Sequence, residues 1–115
     1  MQYVLLIYEE ESKWAKMTES DRGQMFGEYG KLTEDMKAKK QWVDGAPLQP
    51  VSSATSVRVR DGKRLITDGP FAETKEQLGG FYLVEAKDLD EALSLAARIP
   101  AARGGTVEVR PVMKM

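Results

Sequence analysis

The run Gly79-Gly80-Phe81-Tyr82-Leu83-Val84, which follows the corner Asp68-Gly69-Pro70-Phe71, decides the fold of this chain. Residues 81–84 are all apolar or aromatic, so a strand formed here has two apolar faces. Residues 3–8, Tyr-Val-Leu-Leu-Ile-Tyr, have the same character. A strand that is apolar on both faces belongs in the middle of a sheet. The sequence therefore predicts two central strands.

Two amphipathic helices are predicted, because apolar residues recur at helical spacing in two stretches. The first begins at an N-cap, Thr18 or Ser20, and ends near Lys39, with Met25, Phe26, Tyr29, Leu32 and Met36 on its apolar stripe. The second follows an Asp88–Glu91 capping box and ends at Pro100.

Further strands complete the set of elements. Trp42-Val43 opens a short edge strand that Asp44-Gly45 and Pro47 should stop. Asp61-Gly62 joins two β-like runs, residues 56–60 and 63–67, and predicts a hairpin because both central positions of its turn need a positive φ. The alternation in residues 106–112 predicts a last strand with one apolar face.

Without the hairpin, the order of elements is βαββαβ, the ferredoxin-like pattern, and we predict a single α+β domain over residues 1–115. This topology places the first and third framework strands in the middle, and these are the two strands with two apolar faces. The helices cover one face of the sheet. The other face of the sheet is also apolar and would be exposed to water in a monomer. We therefore predict a homodimer that packs sheet on sheet, a dimeric α+β barrel.

Composition excludes many classes of site. The chain has no cysteine and no histidine, so it lacks the usual nucleophile, general base and soft metal ligands. A net charge of −1 argues against nucleic-acid binding, and no apolar run approaches a membrane span. We expect a cytoplasmic protein without membrane contact. No phosphate loop, dinucleotide fingerprint or ligand-spaced acidic loop is present, so we predict no cofactor and no metal.

The predicted topology brings the end of the first strand next to the start of the third. Tyr8, Glu9, Asp44 and the loop 68–77 are expected to meet there, and loops on a rigid scaffold often carry function. The functional interpretation is a small-ligand pocket with aromatic walls and one carboxylate as general acid or base. The candidate walls are Tyr8, Phe71 and Tyr82, and the candidate carboxylates are Asp68, Asp44 and Glu73.

A purely structural interpretation of the Asp68 corner stands beside this one. Proline fixes its own φ and restricts the residue before it, so Gly69-Pro70 sets how Asp68 and Phe71 are presented. Asp68 would then accept hydrogen bonds from nearby amides, and Phe71 would fill the core.

The motif Asp68-Gly69-Pro70-Phe71, with the run from Glu73 to Tyr82, resembles the DGPF branch of the YCII-related domain family. The apolar strand ending in Tyr8 and the closing residues 107–111 are similar too, so the resemblance spans the chain. It implies a dimeric ferredoxin-like α+β barrel. It implies little about activity, because the family is largely uncharacterised.

The resemblance also bears on partners and residues. It implies an association with sigma factors of the extracytoplasmic-function type, and hence a regulatory role. Some YCII-related proteins have a histidine and an aspartate proposed as catalytic. This chain has no histidine, so the pair is not carried over, and Asp44 occupies a place similar to that aspartate.

Three functions are consistent with these observations. The first is a homodimer that binds a small ligand near Asp68, with a regulatory role. The second is a small cofactor-independent enzyme that uses a carboxylate as general acid or base. The third is a structural or protein-binding dimer that associates with a sigma factor.

Overall fold

The computed structural model describes all residues, 1–115. Its strands are β1 (Gln2–Glu9), β2 (Trp42–Pro47), β3 (Thr55–Arg60), β4 (Lys63–Asp68), β5 (Gln77–Glu85) and β6 (Thr106–Pro111). Its α-helices are α1 (Glu11–Ala15), α2 (Glu19–Ala38) and α3 (Leu89–Ala97), and short 3₁₀ helices span Val51–Ser53 and Pro100–Arg103.

The main sheet has the order β2-β5-β1-β6, and all its neighbouring strands are antiparallel. This is the order of a ferredoxin-like α+β fold. The two strands with apolar residues on both faces, β1 and β5, are the two central ones, so that prediction is confirmed. The remaining strands, β3 and β4, form a separate two-stranded sheet.

The core lies on one side of the main sheet. Tyr3, Leu5 and Ile7 of β1 are buried, whereas the residues between them are only half-buried. Across the core, Leu32 and Met36 of α2 are also fully buried. The helices therefore cover one face of the sheet, as the alternation in β1 requires, and the opposite face is left open.

Strands β2 and β5 are both longer than predicted. Strand β2 continues through Asp44-Gly45 to Pro47, and β5 begins at Gln77 rather than near Phe81. Gly80 permits this pairing, since a Cβ at that position would lie 3.0 Å from the carbonyl oxygen of Ala46. Gly79 and Gly80 are thus part of β5, at a point where the neighbouring strand approaches closely.

Helix α2 begins where the sequence predicts, with the Thr18 Oγ1 accepting a hydrogen bond of 3.0 Å from the Asp21 N–H. Helix α1 was not predicted. The Trp14 ring of α1 makes an edge contact with Phe26, at 5.5 Å between centroids. Phe26 was expected on the buried stripe of α2. Instead, it lies beside α1 and is 61% exposed. Because α1 has five residues and no side-chain cap, it has little local signal.

The hairpin of β3 and β4, named here the hairpin arm, forms as predicted. Asp61 and Gly62 have φ values of 53° and 74°, as its turn requires. Every residue of β4 is exposed, so the arm extends away from the core. The radius of gyration is consequently 16.1 Å, whereas a compact domain of this length has about 13 Å.

Candidate functional site

The end of β1 lies beside the beginning of β5, as the topology predicted. Tyr8 pairs with Leu78, and Glu9 pairs with Gln77. The Glu11 N–H donates a hydrogen bond of 2.9 Å to the Gln77 Oε1. This end of the sheet is therefore well defined, and it is where the loop from the hairpin arm enters β5.

Asp44 does not lie at this end. It pairs with Leu83, near the middle of β5, and its Oδ1 accepts a hydrogen bond of 2.8 Å from the Gly45 N–H. Because β2 continues past Asp44, Pro47 occupies the end of the sheet, opposite Gly80. The expected approach of Asp44 to the Asp68 loop is therefore wrong for the single chain.

The three predicted aromatic walls do not meet within one chain. Tyr82 pairs with Leu5 and packs on the helix side, where its ring lies 5.4 Å from that of Trp42. Tyr8 follows the buried Ile7 and therefore lies on the open side. Phe71 is 82% exposed in the loop before β5.

The Asp68 corner, residues 68–71, is held by its backbone. The Gly69 N–H donates to the Ala54 carbonyl oxygen at 2.7 Å, and the Ser56 hydroxyl donates to the Gly69 carbonyl oxygen at 2.8 Å. Gly69 has a φ of 97°, which a residue with a side chain rarely adopts. The corner thus has a defined backbone conformation at the base of the hairpin arm.

The side chains of this corner are not used to hold the fold. The Asp68 carboxylate is exposed and accepts no hydrogen bond, and Phe71 does not enter the core. Glu73 is likewise exposed in the following loop. The structural interpretation required Asp68 to cap backbone amides and Phe71 to fill the core, so the single chain does not support it.

The loop between this corner and β5 is joined to its surroundings by polar contacts. The Thr106 hydroxyl donates to Glu76 Oε1 at 2.9 Å, and the Lys75 Nζ lies 3.8 Å from Glu10 Oε1. These contacts connect the loop to the start of β6 and to the end of β1.

The chain is matched over residues 1–115 by the family model of the YCII-related domain. It is also 37% identical over 124 aligned positions to the uncharacterised protein R00369 of Rhizobium meliloti (strain 1021). That alignment covers 97% of this chain and 92% of the relative. The chain belongs to the YCII-related domain family. No helix of this YCII-related domain is long and apolar enough to cross a membrane.

Glu9, Tyr29 and Tyr82 form a cluster on the helix side of the main sheet that the sequence did not indicate. Burial, and then the negative charge of Glu76, raise the pKa of the Glu9 carboxyl. Burial, and then the charge of Glu9, raise the pKa of the Tyr29 hydroxyl on α2. Burial also raises the pKa of Tyr82. The YCII-related domain thus keeps one carboxyl and two phenols in surroundings that favour their protonated forms.

Sequence reasoning missed this cluster for a physical reason. Glu9 was expected at this end of the sheet but not as a buried carboxyl, and Tyr29 was interpreted only as one member of the apolar stripe of α2. Their proximity depends on how α2 packs on the sheet. The alternation in β1 was the available signal, since it places Glu9 on the same face as the buried Ile7.

Two surface depressions lie elsewhere on the YCII-related domain. One, of about 470 Å³, lies at the opposite end of the sheet beside Met1 and Lys40. The other, of about 210 Å³, lies between α2 and α3 beside Leu32 and Ala97. Neither is lined by the Asp68 corner, whose exposed side chains would need an additional surface to form an enclosed site.

Glu9→Gln is expected to stabilise the protein at neutral pH. Because the folded pKa of Glu9 is raised above its ordinary value of 4.5, the folded state binds the proton more tightly than the unfolded state. The stability that this contributes is present below pH 4.5 and is lost as the pH rises through the folded pKa. The variant should therefore be more stable than the wild type at about pH 7 and equal to it near about pH 4.

Urea unfolding at a series of pH values measures this difference. Glu34→Gln, an exposed position on α2, is the control and should show no such dependence on pH. A Glu9→Gln variant that is equally stable or less stable than the wild type at neutral pH would contradict the expected burial of Glu9.

Proposed function

We propose that this YCII-related domain is a homodimer that binds a small ligand at the Asp68 corner, in a regulatory role. The observation that carries the proposal is the corner itself. Its backbone is held by two hydrogen bonds, yet the Asp68 carboxylate forms no hydrogen bond or salt bridge and the Phe71 ring lies outside the core. A defined backbone that presents an unused carboxylate and an unused aromatic ring is suited to recognising another molecule.

The dimer part of the proposal is supported by the uncovered side of the main sheet. Its central residues, named here the open face, are Val4, Leu6, Phe81 and Leu83. They form a contiguous apolar surface, because Val4 pairs with Leu83 and Leu6 pairs with Phe81. Contiguous exposed apolar surfaces commonly mark an interface. Two copies related by a twofold axis would cover each other's open face.

The chemistry of the corner indicates the class of ligand. A carboxylate binds a cationic group or a hydrogen-bond donor, and an aromatic ring binds an apolar or flat group. A ligand with a polar donor next to an apolar part would engage Asp68 and Phe71 together. The absence of histidine and cysteine favours binding over catalysis, and an associated sigma factor would make the role regulatory.

Thermal-shift measurements with a library of small metabolites test the ligand site. Asp68→Asn should keep the melting temperature of the free protein and abolish the shift given by a library hit, because the charge is lost but the fold does not use it. Asp61→Asn removes the same charge at the far end of the hairpin arm, where Asn also tolerates a positive φ, and should keep the shift.

Two outcomes would count against the proposed site. One is a large loss of stability in Asp68→Asn without any library hit, which would restore the structural interpretation. The other is a hit whose thermal shift is the same in Asp68→Asn, which would place its binding elsewhere.

A cofactor-independent enzyme is the second candidate, and the Glu9 cluster favours it. A carboxyl whose pKa is raised by burial is suited to general acid or base catalysis near neutral pH. Tyr29 and Tyr82 would supply hydrogen-bond donors on the same side of the sheet. This candidate requires turnover of a library hit that is lost in Glu9→Gln. Binding of the hit without turnover would exclude it for that compound.

A further inference from the structure

The two faces of the hairpin arm differ in character. Val57 pairs with Ile66, and Val59 pairs with Arg64, so these four residues share one face. Thr55 and Asp68 lie on the same face at the base of the arm, so its apolar part consists of Val57, Val59 and Ile66. The alternate residues form the other face, which has three basic residues, Arg58, Arg60 and Lys63, and three uncharged ones, Ser56, Leu65 and Thr67.

The apolar face of the arm is uncovered in the single chain. Val57, Val59 and Ile66 are 63%, 59% and 57% exposed. An isolated two-stranded hairpin is marginally stable in water, and its stability normally depends on packing against something else. Three β-branched apolar side chains side by side on such a hairpin therefore indicate a surface that is covered in the assembled protein.

The arm's own chain does not provide the cover. The molecule measures 48 × 43 × 18 Å along its principal axes. Helices on a sheet already account for a thickness of about 20 Å, because the two layers pack about 10 Å apart and each has its own width. The arm consequently extends beside the two layers, and it is not folded over the open face.

The charge distribution favours a second copy as the occupant. The arm has four basic residues and two acidic ones, among 17 basic and 18 acidic residues in the chain. The arm is therefore basic and the rest of the chain is acidic. A basic arm of one copy is electrostatically matched to the acidic body of another, and a net charge of −1 causes little repulsion between copies.

We propose that the apolar face of the hairpin arm packs against a second copy of this chain. The second copy thereby supplies the missing wall of the ligand site at each Asp68 corner. The inference rests on the dimer in the proposed function. Asp68 pairs with Thr55 and lies on the same face of the arm as Val57 and Ile66. A copy that covers this face therefore reaches the base of the arm, where Asp68 and Phe71 need a further wall. The dimer interface and the ligand site are then one continuous surface.

Single cysteines on the arm test this, because the chain has no cysteine of its own. Val59→Cys places a thiol of similar size on the apolar face, and Arg60→Cys, one residue later, places a thiol on the basic face. The rate of reaction with Ellman's reagent is measured at concentrations above and below the dimer dissociation constant, which is obtained by sedimentation.

The thiol of Val59→Cys should react at least about tenfold more slowly in the dimer than in the monomer, since reaction then requires the interface to open. The thiol of Arg60→Cys should react at similar rates in both. Hydrogen exchange of the wild-type protein at the same concentrations gives a readout that needs no variant, and residues 57–66 should exchange more slowly in the dimer.

The outcomes separate this inference from the proposed function. A dimer in which the Val59→Cys thiol and the wild-type arm amides are as accessible as in the monomer would overturn the arm contact and leave the sheet-on-sheet dimer intact. A protein that is monomeric at every concentration would overturn both the dimer and the arm contact, while the thermal-shift test of Asp68 would still decide ligand binding.

Discussion

Leu6→Lys is expected to convert the proposed homodimer into a folded monomer. Leu6 lies at the centre of the open face, where it pairs with Phe81 on one side and with Glu108 on the other. In the monomer, the lysine remains solvated and faces Glu108 across the strands, an arrangement that is tolerated in a sheet. In a sheet-on-sheet dimer, the lysine and Glu108 would be removed from water together, and this ion pair would replace the apolar contacts of Leu6 in each copy.

The expected effect is a dissociation constant at least about a hundredfold higher, because a buried ion pair in place of apolar contacts costs about 1 to 4 kcal/mol and the cost occurs at two symmetry-related sites. Sedimentation equilibrium measures the constant, and far-UV circular dichroism checks that the variant is folded. Leu93→Lys is the matched control, since Leu93 is an exposed leucine on α3, on the helix side of the sheet. An unchanged dissociation constant in Leu6→Lys would show that the open face is not the interface.

Gly105→Ala is expected to lower the free energy of unfolding by about 1 to 3 kcal/mol, the range for overpacking of a closely packed position. A Cβ at position 105 would clash with the carbonyl oxygen of Tyr8 and would lie 3.2 Å from that of Ala101. The Gly105 N–H also donates to the Ala101 carbonyl oxygen at 2.7 Å. Neither carbonyl can move without disturbing the start of β6 or the end of β1.

The neighbouring Gly104 provides the control for this prediction. A Cβ at position 104 meets nothing within 4 Å, and its φ of −122° is accessible to any residue. Gly104→Ala should therefore change the free energy of unfolding by less than about 0.5 kcal/mol. Urea unfolding of both variants makes the comparison, and equal stabilities would mean that the end of β1 is not packed against this turn.

The small core leaves several apolar surfaces of the single chain uncovered. Only 14 of the 115 residues are buried, and 12 of them form one hydrophobic cluster. The open face, the apolar face of the hairpin arm and Phe71 are apolar surfaces that this core does not use. An assembly that covered all three surfaces would have the Asp68 corner at the edge of its interface. The proposed dimer and the proposed ligand site would then adjoin each other.

The elements that could be predicted are those with strong local signals. The two central strands were identifiable because residues 3–8 and 81–84 are apolar on both faces, and the hairpin because Asp61-Gly62 favours its turn. The start of α3 was identifiable as well, since Asp88 Oδ1 accepts the Glu91 N–H at 2.9 Å. Helix α1 was missed, because it is short and depends on the contact between Trp14 and Phe26.

The candidate site was less predictable than the fold. The sequence placed Glu9 and the Asp68 loop at one end of the sheet, which the pairing of Glu9 with Gln77 confirms. It also placed Asp44 there, but the bulge in β2 and the continuation of that strand to Pro47 move Asp44 toward the middle of the edge. A shift of register cannot be predicted from residue types when both partner strands tolerate it.

By itself, the sequence determined the family, the order of the elements, the central position of β1 and β5, and the positive φ values of the Asp61-Gly62 turn. These features depend on hydrophobic periodicity and turn chemistry, which act within a few residues. Only the tertiary structure decided that Tyr8 and Tyr82 lie on opposite faces, that the charge of Glu9 raises the pKa of Tyr29, and that Phe71 is exposed. These relations depend on register and helix packing between distant parts of the chain, which local residue types do not specify.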